Sequence, residues 1–244
     1  ALPFLALLLA ACLFVAPVSA LAGHHEKGES HSEGNEAASK KAESEKKQPR
    51  KKKARDPLRD PSFATETAPK QFRVEFDTTQ GKILLEVNRA WAPNGADRFY
   101  NLVKIGYFED IAFFRVIDNF MAQFGMHGNP KVTRAWSKAR IRDDAVVQSN
   151  LRGFVSFAKT AQPNSRTTQL FINLGDNVNL DGMGFAPFAK VIEGMDIVDK
   201  IYKVGEGPPA GPGPSPRRIQ LLGNDYLRKN FPQIDYIKRG WFTE

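Results

Sequence analysis

The chain has 244 residues, 41% of them hydrophobic and 25% charged, with 19 Gly, 16 Pro and a single Cys. That suffices for one ordinary globular domain with attached irregular segments and excludes a large multidomain assembly. One cysteine excludes an internal disulfide framework and a cysteine-built zinc site, so the core must rest on apolar burial. The excess of 35 Lys and Arg over 27 Asp and Glu, a net +8, points to nucleic acid only if those charges cluster on folded surface.

Residues 2–18 (LPFLALLLAACLFVAPV) are almost wholly apolar and lead into Ser19-Ala20-Leu21-Ala22, small residues at the spacing of an export cleavage site. Residues 1–22 are therefore expected to be a signal peptide cut after Ala22, with the protein exported to a periplasm or secreted. A membrane-anchored form, through an uncleaved signal or a lipidated Cys12, is the alternative reading. Residues 23–69 carry Glu, Lys, Ser, Ala and His with almost no large apolar side chain, which predicts a disordered charged linker whose removal leaves the domain intact. Within it the tract 40–55 (KKAESEKKQPRKKKAR), from Lys40 to Arg55, holds much of the basic excess. It is expected to make at most weak electrostatic contact with anionic surfaces, and no specific nucleic-acid binding is expected.

The folded domain is expected over residues 70–222. Alternation in residues 72–78, a turn at residues 78–81 and a β-rich run from Lys82 read as a hairpin. Pro93 opens a stretch with Ala96, Phe99, Leu102 and Val103 at helical spacing, stopped by Gly106. Short apolar runs at 111–117, 120–124, 153–158, 169–174 and 188–192 predict successive strands. A second helix is expected from Met195 through Tyr202, an irregular loop over 205–216 (GEGPPAGPGPSP), and a closing strand over 217–222. The remaining 223–244 is a C-terminal extension too apolar for a free tail, expected to pack on the sheet or against a partner.

In Phe113-Phe114-Arg115-Val116-Ile117-Asp118-Asn119-Phe120-Met121-Ala122-Gln123 an arginine sits among hydrophobic strands, which is expensive unless its guanidinium faces a cleft or a partner. This segment resembles the cyclophilin family of peptidyl-prolyl isomerases. The resemblance continues through Ser156-Phe157-Ala158, Thr168-Gln169-Leu170-Phe171-Ile172-Asn173, Asn179-Leu180-Asp181-Gly182 and the run from Phe188 to Val198, collinear over residues 71–222. It implies a mainly β fold, a closed eight-stranded antiparallel barrel capped by two α-helices, with a proline-binding groove on its outer face. It also implies Arg115 and Gln123 as catalytic residues, and Phe120, Met121, Ala158, Gln169, Phe171 and Leu180 as the substrate-binding set. No metal or cofactor is implied, and the partners are proline-containing polypeptides bound by a monomer.

The family's His before the arginine is Phe114 here, the first Gly after the Gln is Phe124, and a Trp that packs on cyclosporin in many eukaryotic members is Asn179. Phe185 is expected in the space of another family His. His127, among glycines and Pro130, reads as a surface-loop residue, and no G-x-S-x-G elbow supports a hydrolase. The function expected is acceleration of X-Pro bond rotation in exported proteins. The alternative is a catalytically weak proline-peptide-binding module or scaffold of the cell envelope.

Overall fold

The computed structural model describes residues 56–244. The segments read as signal peptide and the basic tract 40–55 lie outside the described residues.

Strands β1 (Gln71–Thr78) and β2 (Lys82–Asn88) form the expected hairpin. Period-two alternation puts Val74 opposite Leu85 and Phe76 opposite Ile83 on one buried face. Helix α1 (Pro93–Lys104) starts with Pro at its first turn and buries Ala96, Phe99, Leu102 and Val103. Its own N-cap, Ala92, offers no acceptor. Asp144 supplies one from elsewhere in the chain, accepting from Asn94 N at 3.0 Å and Gly95 N at 2.9 Å. The buried Arg166 holds that carboxylate at 3.0 Å.

The 111–117 run divides into β3 (Glu109–Ala112) and β4 (Arg115–Ile117), joined through Phe113 and Phe114. Then follow β5 (Met121–Phe124), helix α2 (Pro130–Trp136), β6 (Phe154–Phe157), β7 (Leu170–Asn173), β8 (Pro187–Glu193) and helix α3 (Met195–Lys200). Residues 217–222, expected as a closing strand, are instead helical: α4 (Pro216–Leu222) is followed by α5 (Asn224–Asn230) and then by β9 (Tyr236–Thr243). Of the apolar residues in α4 only Ile219 is buried, while Leu221 and Leu222 face outward, so no strand-like face exists there.

All nine strands join one curled antiparallel sheet in the order β3-β9-β1-β2-β8-β6-β7-β5-β4. The mainly β, antiparallel expectation holds; the strands number nine because the expected run 111–117 is divided into β3 and β4, and the described residues hold five α-helices. The closing strand comes from the C-terminal extension as β9, so the extension is an integral part of the sheet. β9 lies between β1 and β3, and Gly240 is required there by close approach, since a Cβ would stand 2.6 Å from the Phe76 ring. The main core, with Phe76, Phe99, Phe108, Phe124 and Phe188, fills the inside of the curl. A second cluster of Ala112, Phe114, Met126, Ile219, Tyr226, Leu227 and Ile234 lies under α4, α5 and the chain that follows them.

Residues 56–69, assigned from sequence to a disordered linker, make specific contacts with the domain. Two 3-10 turns, at Pro57–Arg59 and Pro61–Phe63, are capped by Asp56 and Asp60. The Leu58 carbonyl accepts from Trp136 Nε1 at 2.9 Å, and Asp97 accepts from Ala68 N at 2.8 Å. Composition hid this strap because its anchoring is largely polar and comes from partners far along the chain. Removing residues 1–69 should therefore destabilise relative to removing 1–55. Stripping the buried Trp136 N–H of its acceptor alone costs about 1–3 kcal/mol. For a domain of this size, at about 2–4 °C per kcal/mol, that corresponds to a fall in Tm of roughly 2–12 °C, and equal melting temperatures for the two truncations would refute it.

Candidate functional site

The site is built where β4, β5 and β7 run side by side. Register places Arg115 of β4 directly opposite Gln123 of β5, and Gln123 opposite Phe171 of β7, so their side chains emerge on one face. Arg115 Nη1 donates to Gln123 Oε1 at 3.1 Å, and Gln123 Nε2 donates to Gln169 Oε1 at 3.0 Å. The result is a polar row Arg115-Gln123-Gln169 in which each amide is oriented by its neighbour. Next to it Met121, Phe171 and Leu180 form an apolar cluster separate from the main core, extended by Ile117, Phe120, Ala158, Met183 and Phe185. Row and cluster touch: the Arg115 guanidinium lies 5.6 Å from the Phe120 ring centroid and its Nη1 is 3.7 Å from Met121 Sδ. Phe185 meets Phe171 edge-on at 5.8 Å, and Ala158 N donates to Gln169 O at 2.9 Å.

All eight site residues singled out in the sequence are thus brought together. Sequence reasoning missed Ile117, Met183 and above all Glu206. The Glu206 carboxylate accepts from Arg115 Nε at 2.8 Å and from Nη2 at 2.6 Å, a bidentate pair with the arginine side chain only 13% exposed. No periodic signal could reveal a partner 91 residues away in a Pro/Gly loop, but an unpaired arginine among core strands was itself a demand for an acid.

The departures from the family pattern have physical reasons. Phe114 points away from the site into the second cluster, against Met126, Tyr226 and Leu227, so an apolar ring suits that position once the C-terminal helices cover it. Phe124 is buried in the main core, its ring 5.9 Å from Phe76 and 5.3 Å from Phe113. Gly125 after it has φ +97°, and a Cβ there would stand 2.2 Å from Thr168 O, so only glycine fits. Asn179 is exposed at the rim. His127 is more enclosed than a surface-loop residue, its ring 5.2 Å from Tyr107, and burial lowers its pKa. It takes no part in the site.

Buried amides hold the loop that carries Leu180, Met183 and Phe185. Asn177 Nδ2 donates to Phe120 O and to Asn173 Oδ1, both at 2.7 Å. Asp181 accepts from Asn150 N at 2.9 Å, from Asn150 Nδ2 at 2.7 Å, and from Ser149 Oγ. Burial pushes the Asp181 carboxyl up, but the hydrogen bonds from Ser149 and Asn150 outweigh it and hold the pKa below the ordinary 3.8. A carboxyl depressed on folding contributes stability that is present above its unfolded value and lost as pH falls through the folded one. Lowering the pH from about 5 to about 2 should therefore destabilise the domain, and Asp181→Asn should remove part of that acid-side slope. An unaltered slope in thermal melts of the variant would count against this role.

Among the described residues no group of three or more His, Cys, Asp or Glu side chains is arranged to hold a metal ion. What the arrangement offers is a guanidinium and two amides beside a separate apolar cluster. Fold and cleft together define a cyclophilin-like β protein.

Comparison with known proteins agrees. The sequence profile of the family described as cyclophilin type peptidyl-prolyl cis-trans isomerase/CLD matches residues 73–219, and the chain belongs to that family. It is 37% identical over 148 residues to the peptidyl-prolyl cis-trans isomerase cyp18 of Streptomyces antibioticus, covering 57% of this chain and 87% of the relative. It is 35% identical over 142 residues to peptidyl-prolyl cis-trans isomerase B of Escherichia coli, covering 55% and 86%. The fold is similar to that of a cyclophilin type peptidyl-prolyl cis-trans isomerase of Cryptosporidium parvum, with TM-score 0.52, 18% identity, and 71% of this chain and 98% of that one covered. A second structure of that protein, in the presence of the dipeptide Ala-Pro, gives a TM-score of 0.51 at 18% identity, covering 70% of this chain and 99% of that one.

Proposed function

We propose that Arg115 is the group through which this chain catalyses cis-trans isomerisation of X-Pro peptide bonds. Amide resonance gives the bond partial double-bond character and a barrier of about 18–20 kcal/mol. In the twisted state the prolyl nitrogen lone pair is no longer delocalised, and a cationic donor beside it stabilises that state more than either planar isomer. The observation that carries this reading is the guanidinium held 3.1 Å from Gln123 Oε1 at the rim of the Met121-Phe171-Leu180 cluster. That cluster grips the proline ring while the preceding acyl group turns, and Gln123 and Gln169 offer hydrogen bonds to the backbone of the peptide. No covalent intermediate is needed.

The finer reading is that the activity assists the folding of exported proteins. Its support is the apolar run 2–18 followed by Ser19-Ala20-Leu21-Ala22. Uncatalysed isomerisation takes about 10–100 s at 25 °C, slow enough to limit folding. The test is a protease-free exchange measurement by NMR on an Ala-Pro peptide, together with N-terminal sequencing of the protein recovered from an exported fraction. Catalysed exchange and a mature start at Gly23 are expected. Saturable peptide binding without exchange would replace the enzyme by a proline-binding module, absence of the protein from the exported fraction would remove the export reading, and a retained residue 2 there would replace the cleaved form by the membrane-anchored one.

A further inference from the structure

The acidic partner of Arg115 comes from outside the strands that build the site. Gly205 N donates to Val116 O at 2.9 Å, an isolated antiparallel bridge that docks the 205–215 loop against β4 one residue beyond Arg115. Glu206 follows immediately. Its own carbonyl accepts from Gly213 N at 2.8 Å, so the loop folds back and fixes the glutamate backbone on both sides. Pro208, Pro209, Pro212 and Pro214 reduce the conformational freedom of this loop before it docks. The glutamate side chain is therefore presented to Arg115 by a rigid support.

A guanidinium has five N–H donors. Glu206 takes the Nε donor and one Nη2 donor, and Gln123 takes one from Nη1. Gln123 alone would leave the plane free to turn about the Cδ–Nε bond. The bidentate carboxylate removes that freedom and keeps Nη1 on the side of Met121 and the pocket. We infer that Glu206 is a positioning residue for the isomerase reaction, acting through Arg115, and that the 205–215 loop is part of the catalytic apparatus. The inference rests on the isomerase reading above. A carboxylate this close also withdraws positive charge from the guanidinium, which acts in the opposite direction. The two effects have opposite signs in kcat, so experiment separates them.

Glu206→Ala and Glu206→Gln in the full chain should lower kcat about 5- to 30-fold, the scale of a modestly misplaced catalytic group, with KM for an Ala-Pro peptide within about twofold. In an Arg115→Ala background the further change Glu206→Ala should leave kcat within about twofold, because the group it positions is gone. Melting temperatures of all variants establish that they are folded. Unchanged or increased kcat in Glu206→Ala, or the same fold-loss in both backgrounds, overturns the inference. An independent readout is hydrogen exchange of the Arg115 Nε–H by NMR, expected to be slow in the wild type and fast in Glu206→Ala. Should the wild type show no turnover, the isomerase reading falls on its own. The exchange measurement then decides the positioning role, with equal exchange in the two proteins overturning it.

Discussion

Arg115→Ala should lower kcat/KM by roughly two to three orders of magnitude, about 3–4 kcal/mol, the scale of losing one preorganised transition-state donor. Peptide affinity should fall much less, because Phe120, Met121, Phe171 and Leu180 still enclose the proline ring. Arg115→Lys should restore little. An ammonium is a point donor on a flexible stem and cannot satisfy both Glu206 oxygens and Gln123 in one plane. Truncating the arginine also leaves the Glu206 carboxylate without its counter-charge, so some loss of stability accompanies the loss of rate. Isomerisation near the wild-type rate by a folded Arg115→Ala protein would falsify the proposed mechanism.

Deleting residues 223–244 should prevent folding. The segment removes Tyr226, Leu227, Ile234 and Ile237 from water, each buried, and burying a side chain of this size is worth about 1.5–3 kcal/mol. Four of them amount to about 6–12 kcal/mol, comparable to the whole stability of a domain. The deletion also uncovers Phe114 and Met126 and strips β1 and β3 of their shared neighbour. Circular dichroism and proteolysis of the truncated chain should report an unfolded or aggregating protein. A cooperative melt close to that of the full chain would show that the sheet is complete without β9.

How much of this was legible in the sequence depended on how local the signal was. The β1-β2 hairpin, α1 and β5 to β8 follow from alternation, helical spacing and turn residues, all of which act within a few positions. The site cluster was legible because its residues sit in segments that resemble a family, in order. The strand expected at 217–222 failed because three apolar residues in six carry little periodic information, while Pro216 at the first helical turn was a start signal left unused. Asn129-Pro130 was another: the Asn129 side chain accepts from Lys131 N at 2.9 Å and opens α2. Glu206, Asp144 and the 56–69 strap act across long stretches of chain, where composition and period say nothing.

The position of β9 has a consequence for the order in which the molecule can be made. Among the described residues β3 has β9 as its only neighbour in the sheet, and β9 follows the other eight strands in chain order. Until β9 has been made, the edge of β1 and the whole of β3 are unpaired. Native closure therefore waits for β9, and shorter nascent lengths expose strand edges and aromatic surface of the kind that chaperones hold.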